Sequence, residues 1–589
     1  MNGFSPATHL LLVIATPLVG AVVAAVLGSR GLSAVRQSAA ITALIALVNA
    51  GWLVLRYLAS PEGAVGAPYG VKSVPWLVGG IFDVRLSLGL DGLSIWLFGL
   101  SALLSLTAVL VSWKAIHERP VGFYVLLLLL EAAMLGVFAA RDVILFYVFF
   151  EFTLVPLFFL IGIWGHDERR RAAVKFCIYT LAGSVLAILG LLTSVLWNAS
   201  HTGTVTFDIA ALTAGLTAHP LPMDREGGWL QWLVFLALFA GFAVKVPIVP
   251  VHTWLPLAHV EAPTGGSVDL AGVLLKIGIY GFLRFSLPML PDATAVAAPW
   301  LFGLGVVGII YGALVALVQT DLKRLIAYSS VSHMGYIVMG LFALEPVAVE
   351  GANLQLVNHG LSAAGLFALV GMIYERYHTR SIANLGGIAS SAPWLTVLFM
   401  LFTFSSIGLP GLNGFVGEFL ILAGSFQRAW SGVSEAWRLP YLAMAVTAVG
   451  GVVLGAWYML WAVERVFFGG SREPPRHASG HAHAPHAADA HASGGDHASG
   501  SHGVGALEWF EVAAVAPLAV FVLWIGLAPA TFLRPSSAPL RSASRAAAAA
   551  FTADMAKPAS PPVPVASDRF AGRSDPALQS PLNPSVDTP

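Results

Sequence analysis

The sequence contains few charged side chains for its length. Only 11% of its 589 residues are Asp, Glu, Lys or Arg, whereas a soluble domain carries about 25%. Apolar side chains make up 57% of the chain, and its mean hydropathy is +0.79. Because a protein in water presents mostly polar residues at its surface, this composition excludes an ordinary soluble protein. It indicates that lipid surrounds most of the chain.

Cysteine and net charge are also scarce. The single cysteine, Cys177, excludes a disulfide scaffold, a protein-bound iron–sulfur cluster and a zinc site built from thiolates. The 31 basic and 31 acidic residues balance, so the chain lacks the net positive charge expected of a nucleic-acid-binding protein.

One short motif fits a dinucleotide-binding pattern but lacks its structural context. Residues 303–308 match G-x-G-x-x-G, yet they lie inside an apolar segment with no strand before them and no acidic residue at the required distance. Small residues in such a segment predict close helix–helix packing instead. We therefore expect no cofactor and no metal in this chain.

Apolar segments long enough to cross a bilayer recur along the sequence. A hydrocarbon layer of about 30 Å requires roughly 20 helical residues, and lipid offers no partner for open backbone groups. These segments predict an all-α polytopic membrane protein with about 14 transmembrane helices. They lie at about 9–28, 39–58, 93–112, 121–140, 142–163, 174–197, 229–251, 267–288, 299–318, 323–344, 352–374, 393–427, 441–468 and 508–533.

The distribution of basic residues predicts the orientation. Loops that follow odd-numbered segments hold more Lys and Arg than loops that follow even-numbered ones. The positive-inside rule then places the odd-numbered loops in the cytoplasm, and an even number of helices places both termini outside.

Two regions fall outside the predicted bundle. Residues 471–505 are polar and rich in histidine, which predicts a solvated cytoplasmic loop. Adventitious metal binding is the alternative, although no fixed ligand spacing supports it. Residues 535–589 are rich in Pro, Ser and Ala with few large apolar groups, so we expect a disordered tail after helix 14, which we place within 506–534.

Ionisable side chains in the middle of apolar segments are the most informative feature. Each costs several kcal/mol in lipid unless it is paired or hydrated, and such residues mark ion or proton paths. A single buried pair that only pins two helices, or a single satisfied core histidine, is the structural alternative. The number of these groups favours a path for protons or cations; they are Glu131, Glu151, Lys245, Lys276, His333, His359 and Glu418.

Two of these residues stand beside predicted helix breaks. Pro247 and Pro250 follow Lys245, and the Gly- and Pro-rich residues 408–414 precede Glu418. Interrupted helices with adjacent ionisable groups are typical of transporters built from internal repeats. The breaks are five segments apart, which predicts helices 1–3 in 1–120, a first repeat of helices 4–8 in 121–290 and a second repeat of helices 9–13 in 291–470.

The same segments resemble a known family. KVPIVPVHTWLPLAHVEAPTGGSVDLAGVLLKIGIYGFLRF, FYVFFEFTLVPLFFLIGIWG, LKRLIAYSSVSHMGYIVMG, NHGLSAAGLF and GLPGLNGFVGEF are similar to the antiporter-like proton-channel subunits of respiratory complex I, bacterial NADH:quinone oxidoreductase. The resemblance covers roughly residues 80–470. It implies fourteen helices with two inverted five-helix repeats and two broken helices.

The resemblance also implies roles for individual residues. Glu151 matches the glutamate of helix 5, Lys245 the lysine of broken helix 7 and Lys276 the connecting lysine of helix 8. His333 and His359 match the central histidines, and Glu418 matches the glutamate of broken helix 12; Glu131 is a possible further member of the relay.

Two neighbouring positions depart from the family pattern. Leu257 stands where many members have an acid, and Glu261 stands where a neutral polar residue is common. We interpret this as a possible local swap of the charge at the helix end.

The implied function is proton translocation coupled to quinone reduction in other subunits. A proton would pass from the cytoplasm to Lys245, through Lys276 and the two histidines, and outward by way of Glu418. Flavin, iron–sulfur clusters and quinone are expected in partner subunits, sister antiporter-like subunits are expected neighbours, and the bacterial inner membrane is the expected location. The alternatives are a subunit of a multi-subunit Na⁺/H⁺ antiporter or membrane-bound hydrogenase, a sister channel subunit of complex I, and a scaffold without transport.

Overall fold

The computed structural model describes residues 5–79, 82–223, 228–470, 472 and 506–556, and these are mostly helical. The helices are α1 (Pro6–Leu27), α2 (Leu32–Leu58), α3 (Pro61–Val65), α4 (Ile95–Val111), α5 (Pro120–Ala139), α6 (Val143–Phe152), α7 (Leu154–Trp164), α8 (Arg169–Thr202), α9 (Ile209–Ala218), α10 (Leu230–Lys245), α11 (Trp254–Glu261), α12 (Thr264–Asp269), α13 (Leu275–Gly281), α14 (Leu287–Met289), α15 (Pro291–Leu317), α16 (Leu322–Phe342), α17 (Pro346–Tyr377), α18 (Ile388–Ser391), α19 (Pro393–Ser406), α20 (Asn413–Ser431), α21 (Glu435–Phe467), α22 (Trp509–Leu527) and α23 (Ala530–Ala556).

The described helices include 11 that are long and apolar enough to cross a membrane. Each coincides with one of the predicted segments. The remaining predicted segments hold shorter apolar helices, which are α4, α10 and α19. The predicted His-rich loop at 471–505 lies outside the described residues, apart from Arg472.

Acidic residues in the loops define where several helices begin. The Asp142 carboxylate accepts hydrogen bonds from the backbone N–H groups of Ile144 (2.8 Å) and Leu145 (3.1 Å) at the start of α6. Asp321 accepts from the Arg324 N–H at 2.9 Å at the start of α16. These caps pair backbone donors that have no partner within the helix.

The core lies among the helices that carry the predicted relay. In the most apolar window of Thr264–Met289, of α16 and of α17, 94% of the residues are buried, against 22% in α21. Lys276, His333 and His359 therefore lie in the centre of the molecule, whereas α21 faces the surroundings.

Three interruptions shape this core. The first runs from the end of α10 through a 3₁₀ turn at Val251–Thr253 to α11, and the second separates α19 from α20. In the third, α12, α13 and α14 form one continuous helix in which π turns at Leu270–Leu274 and Phe282–Ser286 flank α13. Such π turns are frequent at functional sites because they redirect side chains within a helix.

A β-hairpin corrects the all-α prediction. Strands β1 (Tyr69–Gly79) and β2 (Phe82–Leu90) pair antiparallel, with Tyr69 opposite Leu90 and Pro75 opposite Arg85. In β2 the apolar residues recur at every second position from 82 to 90, which is the period of a strand with one buried face. That pattern is too short to register as an apolar segment.

The predicted disordered tail is wrong for its first part. Residues 530–556 form α23, in which Phe532, Ser536, Leu540, Ala547 and Phe551 make a buried stripe at helical spacing. Alanine has the highest helix propensity, and this run of alanines outweighs the Ser and Pro content that suggested disorder. Residues 557–589 lie outside the described part of the chain.

Candidate functional site

Lys245 lies at the point where the first broken helix ends. Its side chain is only 4% exposed, and its Nζ donates a hydrogen bond to Thr153 Oγ1 at 3.2 Å. The ammonium also lies 4.5 Å from the centroid of the Phe150 ring. The break leaves the Val244 carbonyl without its helical donor, and Trp254 Nε1 of α11 donates to it at 2.9 Å. At this break, a buried ammonium therefore lies near a backbone carbonyl that is paired with a side-chain donor.

Glu151 acts on Lys245 through space. Within the described part of the chain, these two side chains do not form an ion pair within 4 Å, although the Glu151 charge is the one that acts on the lysine. Thr153, which accepts from Lys245, lies at the junction of α6 and α7, where its own hydroxyl donates to the Phe150 carbonyl at 2.7 Å.

A glycine allows α13 to approach the first break. A Cβ placed on Gly278 would lie 2.8 Å from the Phe242 carbonyl oxygen and 3.1 Å from the Cβ of Lys245. No larger side chain fits this position without movement. The close approach brings the helix that carries Lys276 against the backbone of α10.

Lys276 is fully buried and bonded to a histidine. Its Nζ lies 2.8 Å from His359 Nδ1, and it also donates to the Ala271 carbonyl within the first π turn. The bond to His359 joins α13 to α17, whereas the bond to Ala271 stays within the helix that carries Lys276. Since Lys276 is 0% exposed, its partners are protein groups rather than bulk water.

Two histidines continue from Lys276 to the second broken helix. The ring centroids of His359 and His333 are 5.6 Å apart. His333 Nδ1 lies 3.0 Å from Glu418 Oε1, and its Nε2 lies 3.1 Å from Ser406 Oγ at the end of α19. Gln355 Nε2 donates to the same Glu418 oxygen at 3.2 Å.

Polar side chains hold the second break together. Asn413 accepts from Ser405 Oγ at 2.5 Å, and Ser405 lies 2.5 Å from Ser362 Oγ. Asn358 Nδ2 donates to the Asn413 carbonyl at 2.8 Å. Gly408, with φ +74°, turns the chain so closely past Glu418 that a Cβ there would lie 3.0 Å from Oε2.

A small cavity of about 10 Å³ lies within this network. Its lining includes His333, Gln355, His359 and Ser406. A volume of this order is close to what one water molecule requires, and the lining offers several polar partners. The second break can therefore accommodate a bridging water between the histidines and the amides.

The structure separates the predicted relay into parts. Lys276, His359, His333 and Glu418 form one chain of buried contacts. Glu151 and Lys245 form a second group at the first break. Glu131 lies in neither group: it is 1% exposed on α5, and the charged side chain that acts on it is Asp269 of α12.

Several polar partners were not predicted from the sequence. Thr153 lies two residues after Glu151 inside an apolar segment. A polar residue at such a position indicates a partner for a buried polar group. On α17, polar residues recur at helical spacing and therefore share one face, and that pattern marks the network around His359. They are Gln355, Asn358, His359 and Ser362.

The Leu257/Glu261 departure lies at the end of α11. Leu257 is partly buried against the core, whereas Glu261 accepts from the Glu168 N–H at 3.0 Å. Nearby His166 donates its N–H to the Glu261 carbonyl at 3.0 Å. Burial, together with the charges of Lys323 and Arg380, lowers the pKa of His166 to about 4, so this loop histidine is uncharged near neutral pH.

No metal centre is found among residues 5–79, 82–223, 228–470, 472 and 506–556, because none of their His, Cys, Asp or Glu side chains form a group of three that could hold an ion.

Comparisons with known proteins place the chain in a family. The sequence model of the family described as NADH:quinone oxidoreductase/Mrp antiporter, TM, matches residues 140–436. NADH-quinone oxidoreductase subunit M of Rhodobacter capsulatus is 44% identical over 459 residues, covering 77% of this chain and 85% of that protein.

Two further matches extend the likeness. NADH-ubiquinone oxidoreductase chain 4 of Marchantia polymorpha is 38% identical over 457 residues, covering 77% of this chain and 86% of that protein. A chain of respiratory complex I from Thermus thermophilus with bound NADH has a TM-score of 0.73 and 30% identity, covering 91% of this chain and 99% of that chain.

Proposed function

This chain belongs to the NADH:quinone oxidoreductase/Mrp antiporter family, and we propose on that basis that it is a proton-translocating membrane subunit of an NADH:quinone oxidoreductase. The observation that carries the proposal is the buried chain from Lys276 through His359 and His333 to Glu418. Each member can hold a proton, and each is at most 8% exposed.

The first break acts as the loading end of the relay. A buried lysine holds its proton more tightly when a carboxylate is near, and a change of one pK unit corresponds to about 1.4 kcal/mol. Because Glu151 is close but not bonded to Lys245, a small movement of either α6 or α10 changes the proton affinity of the lysine. Thr153 accepts a hydrogen bond from the Lys245 ammonium and so fixes its position until it gives up a proton.

The second part of the relay transfers the proton from Lys276 to Glu418. Lys276 donates directly to His359 Nδ1, so loss of a proton from the ammonium and its gain by the imidazole need no large motion. His333 then connects the histidine pair to Glu418, whose carboxylate accepts from both His333 and Gln355. The proton leaves outward from Glu418.

The broader arrangement follows from the same proposal. Residues 121–290 and 291–470 form two inverted five-helix repeats within about 14 transmembrane helices, the odd-numbered loops face the cytoplasm and both termini lie outside. The chain carries out no redox step. Flavin, iron–sulfur clusters and quinone are held by partner subunits, and sister antiporter-like subunits are its neighbours in the bacterial inner membrane.

The test is proton pumping by the assembled complex in proteoliposomes, with NADH as the electron donor. Lys245→Ala is expected to abolish pumping coupled to NADH oxidation, because it removes the charge at the first break. Lys72→Ala, which removes an exposed lysine of the β-hairpin, is the matched control and is expected to leave pumping unchanged. Undiminished pumping by assembled Lys245→Ala complex would refute the role of this residue.

Copurification separates the proposal from its alternative. The family also includes Mrp antiporter subunits. Recovery of the tagged chain with quinone-reducing subunits is expected, whereas recovery with antiporter or hydrogenase subunits would contradict the proposal.

A further inference from the structure

Two buried acids outside the relay have no hydrogen-bond partner among the described residues. Both oxygens of Glu131 on α5 and both oxygens of Asp269 on α12 are unpartnered, and the two residues are 1% and 0% exposed. The Asp269 charge acts directly on Glu131. An unpartnered, ionised carboxylate in this environment is very costly, and repulsion between two such charges adds to that cost.

The position of Asp269 connects this pair to Lys276. Asp269 ends α12 immediately before the π turn at Leu270–Leu274, and the Lys276 ammonium reaches back to the Ala271 carbonyl inside that turn. The acid and the lysine are therefore about two turns apart on one continuous helix.

A polar cavity lies at the other end of α12. Its volume is about 610 Å³, and it opens between the ends of α4 and α17 and the start of α22, with Glu375, Arg376 and Glu511 in its lining. Gly371, which also lines it, lies against Thr264, the first residue of α12. At 1.5 Å per residue, Asp269 is about 7.5 Å further along the helix axis.

We propose that Glu131 and Asp269 form a proton-loading site that receives protons from this cavity and supplies them to Lys276. A proton on each carboxyl group keeps these unpartnered side chains from holding a buried charge. The site rests on the proposed function, in which pumping also requires Lys245. The cavity lies on the side of the basic loops, which the proposed orientation places in the cytoplasm.

The experiment uses the assembled complex in proteoliposomes and combines infrared difference spectroscopy with proton pumping. Glu131→Gln, Asp269→Asn and the double variant keep the shape of each side chain, and Asp83→Asn at the exposed hairpin is the control. Each single variant is expected to lose an infrared band of a buried protonated carboxyl and to lower pumping per NADH about tenfold. The double variant is expected to be no worse than either single variant, because the two acids act as one unit.

Two results with the variants overturn the proposal. An unchanged infrared band in both single variants overturns it, and so does full pumping by both when Lys245→Ala abolishes pumping. Full pumping by Lys245→Ala would instead contradict the proposed function. If a variant fails to assemble, the unaltered complex is labelled with dicyclohexylcarbodiimide instead, because this reagent reacts with buried protonated carboxyl groups. Label on Glu131 or Asp269 supports the site. No label on either residue overturns it.

Discussion

The two broken helices hold their ionisable residues in different ways. At the first break, Lys245 bonds to a threonine hydroxyl, and its acid, Glu151, acts without direct contact. At the second break, Glu418 bonds directly to His333 and Gln355. The first arrangement leaves the lysine's environment easy to change, whereas the second fixes a continuous set of contacts. On the proposed function, we expect the first break to change its proton affinity and the second to pass protons on.

The two breaks also differ in the residues that interrupt the helix and in the groups that pair with the backbone there. Prolines interrupt the first helix, and a tryptophan from α11 pairs the carbonyl that this leaves free. Glycines interrupt the second helix, where Ser405 Oγ donates to the Asn413 side chain and Asn358 Nδ2 donates to the Asn413 backbone carbonyl. The second break therefore carries more hydrogen bonds between side chains than the first.

The largest loss of proton pumping is expected from Glu418→Gln. The amide keeps the size of the side chain but removes the carboxylate that accepts from His333, so the outward step loses its proton carrier. We expect pumping per NADH to fall by about a hundredfold, within the range of positioned acid–base groups. The measurement is fluorescence quenching of a pH-sensitive dye in proteoliposomes. Normal pumping by the assembled variant would show that Glu418 is not on the path.

A smaller effect is expected at Thr153, and it tests the contrast between the breaks. Thr153→Val removes the only protein hydrogen-bond acceptor recorded for Lys245 among the described residues, while Ser406→Ala removes one of several polar contacts at the second break. A lost hydrogen bond to a charged group is worth about 1.5–3 kcal/mol. We expect at least a tenfold loss of pumping rate for Thr153→Val and less than threefold for Ser406→Ala. Equal losses would remove the distinction between the breaks.

A smaller effect on pumping than that of Thr153→Val is expected from packing at Gly278. Gly278→Ala places a methyl group 2.8 Å from the Phe242 carbonyl oxygen, which forces α13 away from Lys245. Overpacking of this kind costs about 1–3 kcal/mol. We expect a lower thermal midpoint of the complex and a pumping rate reduced several-fold.

Gly266→Ala is the matched control for this packing change. Its new methyl group would find its nearest neighbour at an ordinary 3.5 Å. A lower thermal midpoint for both variants, or for neither, would show that the close approach of α13 to α10 at Gly278 does not set the stability of the complex.

The sequence was sufficient to locate both breaks, because Pro247 and the glycines before Glu418 act locally on the backbone. It also identified Lys276 and His359, since charges in apolar segments have few structural uses. The partition into two groups was not predictable. It depends on the distance between α6 and α10 and on the close approach at Gly278, which are results of packing.

The hairpin and α23 were missed for another reason. Both lie outside the long apolar segments, so their signals are an alternation of period two and a run of alanines rather than hydropathy. Asp269 was missed because a single acid near the start of an apolar segment resembles a residue at a helix end.

The most direct test of the relay is an experimental density map of the assembled complex in which ordered waters are visible. We expect waters that connect the Lys245 ammonium with Lys276, and one in the small cavity beside His333 and Gln355. A dry, closely packed region between the two lysines, with no density in that cavity, would contradict it.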